Sequence, residues 1–175
     1  HEAHAEIESR WTHDAGFMRL MELKPVRPLP PALVRKEYEA IEKKMEEERN
    51  LFYFTIRRRT DDVLIGKAVI EWIDWTNSAG WVHLGLGSEQ DRRKGYGSQA
   101  LRLLLRYAFA ELNLYRVGAM LPEYNHGAER LFRKFGFVEE VRRREALDRD
   151  GRRWDLLMFG QLRSEWESLA QAGEG

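Results

Sequence analysis

The spacing of apolar residues changes period several times along this chain, and each change marks an element. In residues 32–50, Val34, Tyr38, Ile41 and Met45 recur at i, i+4, i+7 and i+11, which predicts a helix with one apolar stripe. Its other faces are rich in Glu and Lys, and Glu46-Glu47-Glu48 reads as a solvated run. The period then drops to two. Phe52, Phe54 and Ile56 alternate with Tyr53, Thr55 and Arg57, predicting a strand over residues 51–58. Thr60-Asp61-Asp62 supplies a turn into a second strand, residues 63–74, and so short a turn implies an antiparallel hairpin. Asn77-Ser78 turns the chain again into an apolar strand over residues 80–86.

Helical spacing returns over residues 98–113, where Leu101, Leu104, Leu105, Ala108 and Leu112 share one side and Asn113 is a C-terminal stop. Residues 114–121 read as a strand ended by Pro122, and strand–helix–strand at this spacing implies a right-handed crossover and a parallel pair. Asn125 is a good N-cap type for a further helix, with Ala128, Leu131, Phe132 and Phe135 on its apolar side and Gly136 closing it. Two more strands, residues 137–147 and 152–162, flank Asp148-Arg149-Asp150-Gly151, a strong hairpin signal. Residues 164–170 add a terminal helical turn. At the other end, residues 10–23 predict one short helix. Pro25, Pro28, Pro30 and Pro31 then break regular structure, so residues 24–31 form a loop that shapes a cleft wall.

Composition narrows the classes of function. The 175 residues fit one domain with a real core. Lys plus Arg equals Asp plus Glu, 29 each, and this zero net charge argues against a dedicated nucleic-acid binder. With no cysteine there are no disulfides, thiolate metal sites or cysteine nucleophile, which is compatible with a cytoplasmic protein. There is no run of 18 apolar residues and no signal-peptide pattern, so no membrane association is expected. His1, His4 and His13 lack a further ordered ligand set, and no metal is expected.

The most informative segment joins the third strand to the following helix: Arg92-Arg93-Lys94-Gly95-Tyr96-Gly97-Ser98. A strand, a glycine-bearing turn and a helix N-terminus build an anion site, because the first amides of a helix have no intrahelical partner. Glycine lets that backbone approach a ligand closely. The alternative is a tight turn with solvated basic residues. A P-loop reading fails for want of Gly-x4-Gly-Lys-Ser/Thr, and Gly85-x-Gly87 is followed by Gln90, not the third glycine of a dinucleotide fingerprint.

The pattern Arg92-x-x-Gly95-x-Gly97 resembles the pyrophosphate loop of the GNAT acetyltransferases. Asn125-x5-Leu131-Phe132-x-Lys134-x-Gly136-Phe137 is similar to that family's Asn…Leu-Tyr-x-Lys-x-Gly-Phe signature. The tail, Arg144-Glu145-Ala146 through Asp155, Phe159-Gly160 and Glu165-Trp166, resembles the Rim-type branch, which includes ribosomal-protein N-terminal acetyltransferases. The resemblance implies one acyl-CoA N-acyltransferase domain over residues 1–175. Its fold class is α/β (α+β): a mixed, mostly antiparallel sheet with a splayed parallel strand pair and flanking helices. It implies acetyl-CoA as co-substrate. Leu84, Gly85 and Leu86 would meet the pantetheine arm, Arg92, Arg93, Lys94, Gly95, Tyr96, Gly97 and Ser98 the pyrophosphate, and Asn125 the arm near its helix. The family's opening Arg-Leu-Arg-Pro strand is not found in this sequence. An open sheet edge and surface tryptophans make a homodimer the expectation.

Acetyl transfer needs a base for the amine, donors for the oxyanion and a proton for the departing thiolate. Where the family's tyrosine supplies that proton, this chain has Phe132. Tyr124, Ser88 or water could serve instead. Glu71, His83, Glu89 and Glu123 are candidate bases by location, each also readable as a structural residue. Trp72 and Trp75, with Asp74 breaking the parity between them, cannot both face the core, so one could line an acceptor cleft. Arg142, Arg143, Arg144, Arg152 and Arg153 cluster on the last hairpin, by default solvated. The leading expectation is transfer of acetyl to a primary amine, a protein N-terminus or a small molecule. The rivals are a weakly catalytic acyl-CoA-binding regulatory module and an RNA- or ribosome-associated basic-patch factor.

Overall fold

The computed structural model describes residues 2–21 and 27–172. His1, the end of the first expected helix at residues 22–23 and Pro25 of the expected loop lie outside the described residues. In chain order the elements are α1 (Glu2–Thr12), α2 (Ala15–Met21), α3 (Pro31–Glu48), β1 (Phe52–Arg57), β2 (Leu64–Asp74) and β3 (Ala79–Leu86). They continue with α4 (Tyr96–Arg106), β4 (Arg116–Pro122), α5 (His126–Lys134), β5 (Val138–Arg149), β6 (Arg152–Leu162) and α6 (Arg163–Ala172). The six strands form one sheet in the order β1-β2-β3-β4-β6-β5. β3 and β4 pair in parallel, while β4–β6 and β5–β6 are antiparallel. The expected mixed α/β architecture with flanking helices is the one observed.

The chain forms two compact units, His1–Val69 with Leu84–Leu101, and Ile70–His83 with Arg102–Gly175. In the first unit, the single helix expected over residues 10–23 is two helices. Asp14 divides them: its carboxylate accepts from the amides of Gly16 at 2.8 Å and Phe17 at 3.1 Å, the N-cap arrangement that starts α2. The segment before α3 is tied back to α1, with the Ser9 hydroxyl donating to Leu29 O at 2.7 Å and Leu29 N donating to Thr12 Oγ1 at 2.8 Å. Pro31 opens α3, where a missing amide hydrogen costs nothing. Trp11, Phe17, Met18 and Leu64 form a buried cluster, with Ile7 and Met21 packed against it.

The second unit is organised by β4. Its register with β6 runs without interruption from Arg116↔Leu162 to Pro122↔Leu156. Its register with β3 covers only Ala79↔Arg116, Gly80↔Val117 and Trp81↔Gly118. The Trp81 ring lies over Gly118, where a Cβ would come within 2.8 Å of it. The β5–β6 hairpin closes on Asp150 and Gly151, both with positive φ, as a two-residue turn of this hand requires. β5 is interrupted between Arg143 and Leu147. There Glu145 takes a φ of 51°, and its amide donates to Asp155 Oδ1 at 2.8 Å. That amide and the Arg142 guanidinium hold the Asp155 carboxyl below the usual carboxylate range.

Two helix ends differ from the pattern-based reading. The helix expected over residues 98–113 starts earlier, at Tyr96, and its last turn widens into a π-turn over Tyr107–Glu111. Of the expected stripe, Leu101, Leu104, Leu105 and Ala108 are buried and Leu112 is half-buried. Beyond it Asn113 takes φ 55°, the left-handed conformation common after a helix C-terminus. Widening the turn frees carbonyls. Arg163, at the start of α6, donates to Phe109 O within the turn at 2.7 Å and to Leu114 O just beyond it at 2.8 Å. Trp166 stacks on Phe109 with ring centroids 5.2 Å apart. In β2 the parity breaks at Trp72 (φ 51°), not at Asp74, so Ile70 and Ile73 are both buried and neither Trp72 nor Trp75 faces the core.

Arg163→Met keeps much of the stem but leaves those carbonyls without their charged donor. It should cost about 2 kcal/mol of unfolding free energy, the scale of hydrogen bonds to a charged group. Urea denaturation of both proteins measures this, and an unchanged midpoint would show that the π-turn does not need Arg163.

Candidate functional site

The loop between β3 and α4 is built within the first unit. At the end of β3 the Gly87 amide donates to Ile65 O at 2.9 Å. Ser88 then caps a 3-10 turn, Glu89–Asp91, accepting from Gln90 N at 3.2 Å. Asp91 is buried and lies 3.6 Å from the guanidinium of Arg58, which also reaches Asp61 at 3.0 Å. The start of the loop is thereby anchored to the β1–β2 turn.

Past this anchor, Arg93 (φ 61°) and Gly95 (φ 86°) take left-handed conformations, the kind of backbone reversal that turns successive amides into an anion-binding nest. The first intrahelical bond runs from Gln99 N to Gly95 O at 3.0 Å. Gly95 is therefore the residue before the helix, and Tyr96, Gly97 and Ser98 form its first turn. Their amides have no intrahelical partner. Arg93, Lys94 and Gly95 are exposed, and Arg92, Tyr96, Gly97 and Ser98 are half-buried. Positive side chains thus surround a helix N-terminus whose own dipole favours negative charge. Chemically, this backbone and these cations suit a phosphate or pyrophosphate.

Leu84, Gly85 and Leu86 in β3 are half-buried. The neighbouring glycines have a packing reason. A Cβ on Gly85 would collide with the Met21 side chain, one on Gly87 with the Trp11 ring, and one on Gly66 with the carbonyl of Gly85. α1 and α2 can approach β3 this closely only because those side chains are missing. This accounts for a Gly-x-Gly that has no third glycine after it.

The remaining candidates lie mainly in the second unit. His83 Nε2 is buried and sits 3.0 Å from Glu71 Oε1, at ion-pair distance but outside hydrogen-bond geometry. Trp72 meets the His83 ring edge-on at 5.9 Å. The structure therefore brings Glu71 and His83 together, two residues that the sequence named separately. Glu123 is occupied: Oε1 accepts from Asp155 N at 3.0 Å and Oε2 from Arg142 at 3.3 Å. Tyr124 packs edge-on against Trp154 at 5.1 Å. Asn125 is the N-cap of α5, its side-chain oxygen accepting from Ala128 N at 3.1 Å. Phe132 is buried and meets Phe137 edge-on at 5.0 Å. In the arginine cluster, Arg142 bridges Glu139, Glu123 and Asp155. Glu89, in the first unit, is exposed.

Sequence reasoning missed Glu8. It is buried at 6% exposure, and its Oε1 accepts from Tyr53 at 3.0 Å and from the Tyr38 hydroxyl. Lys67 Nζ lies 3.6 Å from Oε2. Burial and this carboxylate push the hydroxyls of both tyrosines well above their ordinary pKa, keeping them as donors. An acid on the same helical face as Ala5 and Trp11 was the available signal, but the expected helix began only at residue 10. His4 and His13 do not converge: His4 pairs with Arg57 at 2.7 Å and His13 with Ser9 O at 2.8 Å. Among the described residues no group of three or more His, Cys, Asp or Glu could hold a metal ion, and no helix is long and apolar enough to cross a membrane.

The loop, the parallel β3–β4 pair and the sheet order together describe a known class. Residues 1–138 match the acetyltransferase (GNAT) domain family, and the chain belongs to that family. It is 30% identical over 115 residues to the uncharacterized N-acetyltransferase YnaD of Bacillus subtilis, a match covering 65% of each chain, just under two thirds of that relative's length. It is also 30% identical over 122 residues to the uncharacterized N-acetyltransferase p20 of Bacillus licheniformis, covering 70% of this chain and 67% of the relative. Among solved structures, the spermidine N-acetyltransferase of Vibrio cholerae in complex with CoA and spermine superimposes with a TM-score of 0.80. That match has 19% identity and covers 94% of this chain and 93% of the other, a likeness of fold.

If Gly87 is bare to admit Trp11, then Gly87→Ala must push the ring or the strand aside. The cost expected for such overpacking is about 1–3 kcal/mol. Thermal unfolding of the purified variant measures it, and an unchanged melting temperature would show that the contact is soft.

Proposed function

We propose that this protein transfers an acetyl group from acetyl-CoA to a primary amine. The observation that carries the reading is the loop from Arg92 to Ser98, whose left-handed residues and unpaired helix amides suit a pyrophosphate. Family membership supports the same cofactor. Arg92, Arg93 and Lys94 supply charge, and Gly95 leaves the backbone open to close approach. Leu84 to Leu86 are assigned to the pantetheine arm.

Acetyl-CoA supplies an activated acyl thioester. A C–N bond forms between the amine nitrogen and the acyl carbon, the C–S bond breaks with its electron pair leaving on sulfur, and the nitrogen gives up one further proton, which ends on the thiolate to give the free thiol of CoA. The attacking amine must first lose the proton of its ammonium form. Of the candidates, the Glu71–His83 pair is best suited to accept that proton. Its imidazole nitrogen lies 3.0 Å from the carboxylate of Glu71. Glu123 is committed to Asp155 and Arg142. Phe132 has no proton to give. Loss of that donor is tolerable, because a thiolate is a far better leaving group than an alkoxide.

A small amine is the first acceptor class. The Rim-type resemblance of the segment from Arg144 to Trp166 makes a protein N-terminus the second. An acetylation assay over small amines and an N-terminal peptide distinguishes the two, and no turnover with any of them would favour the acyl-CoA-binding module.

Gly95→Val with Gly97→Val places β-branched side chains at a left-handed position and in the first helical turn. CoA affinity by calorimetry should fall by about 100-fold or more, the loss of roughly two charge-assisted contacts. Unchanged affinity in the folded double variant would remove the loop from the cofactor site.

Phe132→Tyr tests the missing hydroxyl with little change of shape. With water or another residue already protonating the thiolate, kcat should change by less than about 10-fold, the low end of general acid effects. A larger gain in steady-state kcat would show instead that proton donation limits this enzyme.

A further inference from the structure

The first unit contains a cavity of about 340 Å³ bordered by α1, α2, α3 and β2. Its size falls in the range of small-molecule sites, roughly 300–1,000 Å³. Its lining combines two unlike parts. Trp11, Phe17 and Met18 form an apolar wall, the two rings tilted with centroids 5.8 Å apart. Opposed in character to that wall is a charged part, the carboxylates of Glu8 and Glu37 with the cations Lys67 and Arg27.

The charges are arranged unequally. Two tyrosine hydroxyls, from α3 and β1, donate to Oε1 of Glu8 and fix its orientation. Oε2 has Lys67 Nζ at 3.6 Å, near enough for charge attraction but too long for a hydrogen bond. Lys67 is partly exposed, at 26% of its side chain, whereas Glu8 is 7% exposed. The carboxylate is thus built into the fold, and its cation is a flexible chain that can swing to water. Removal of a carboxylate from water is costly unless a cation replaces that hydration. A second cation entering the cavity would meet an oriented acceptor and an aromatic wall able to attract it.

We propose that this cavity binds a primary ammonium carried on an apolar or aromatic stem. Glu8 Oε2 receives the ammonium, Trp11 and Phe17 hold the stem, and Lys67 is the resident cation that the ligand displaces. This deepens the amine-acceptor reading and rests on it only for the choice of ligand class.

The test uses the full chain without acetyl-CoA, so it is separable from cofactor binding and turnover. 2-Phenylethylamine and its neutral analogue 2-phenylethanol are titrated while the indole N–H resonance of Trp11 is followed by NMR, with calorimetry for affinity. The amine should saturate a single site, shift the Trp11 signal and bind at least about 10-fold more tightly than the alcohol. Lys67→Met removes the cation paired with Glu8, at a partly exposed position, and leaves Arg27 in the lining. It should tighten amine binding by about 10-fold and leave the alcohol unchanged. Equal binding of amine and alcohol, no shift at Trp11, or weaker amine binding to a folded Lys67→Met protein would each overturn the proposal. If the amine binds as expected but the glycine-loop variant keeps its CoA affinity, the cavity assignment stands and the cofactor assignment falls.

Discussion

Backbone amides and carbonyls taken out of water must find partners, and the functional layout of this protein follows from where that rule is met internally. Along β4 it is met on the β6 side over seven consecutive pairs, but on the β3 side over only three. At the end of the π-turn it is met by a side chain, since Arg163 reaches Phe109 O in the turn and Leu114 O just beyond it. At the start of α4 the amides of Tyr96, Gly97 and Ser98 precede the first helical bond, and their surroundings are cationic. One end of the segment is closed by the fold. The other end leaves its first amides without an intrahelical partner.

Charge burial sets a second constraint within the first unit. Glu8 joins α1 to α3, β1 and β2 because a buried carboxylate needs donors and a cation, and those groups come from three other elements. The same helix brings Trp11 over Gly87, and α2 brings Met21 over Gly85. Two missing side chains on one strand and one buried acid on one helix therefore determine how closely α1 and α2 approach the end of β3.

In the second unit the two potential reactive parts have different characters. Glu71 and His83 come from adjacent strands, β2 and β3, with the left-handed residue Trp72 directly after Glu71. There the alternation of faces breaks, so that Ile70 and Ile73 both lie in the core while Trp72 turns out beside His83. Phe132, by contrast, belongs to the core: its ring meets Phe137, and its position on α5 follows from the apolar stripe alone.

The elements with a sustained period were legible in the chain. The stripes of α3 and α4, the Asn125 cap, the Asp150-Gly151 turn and the glycine loop before α4 are local properties, set within a few residues by side-chain spacing and backbone freedom. The sheet class followed from them, because a strand–helix–strand crossover and short hairpins leave few topologies. Other features depended on partners far away in sequence. Asp14 splits a pattern that looked like one helix. Arg163 rescues carbonyls some fifty positions earlier. Glu8 is acceptable inside only because Tyr38, Tyr53 and Lys67 arrive there, and Glu71 meets His83 only once β2 and β3 are neighbours. Local periodicity records which face of an element is apolar. It carries no record of which distant donor will satisfy a buried charge, and that choice was made by the tertiary structure.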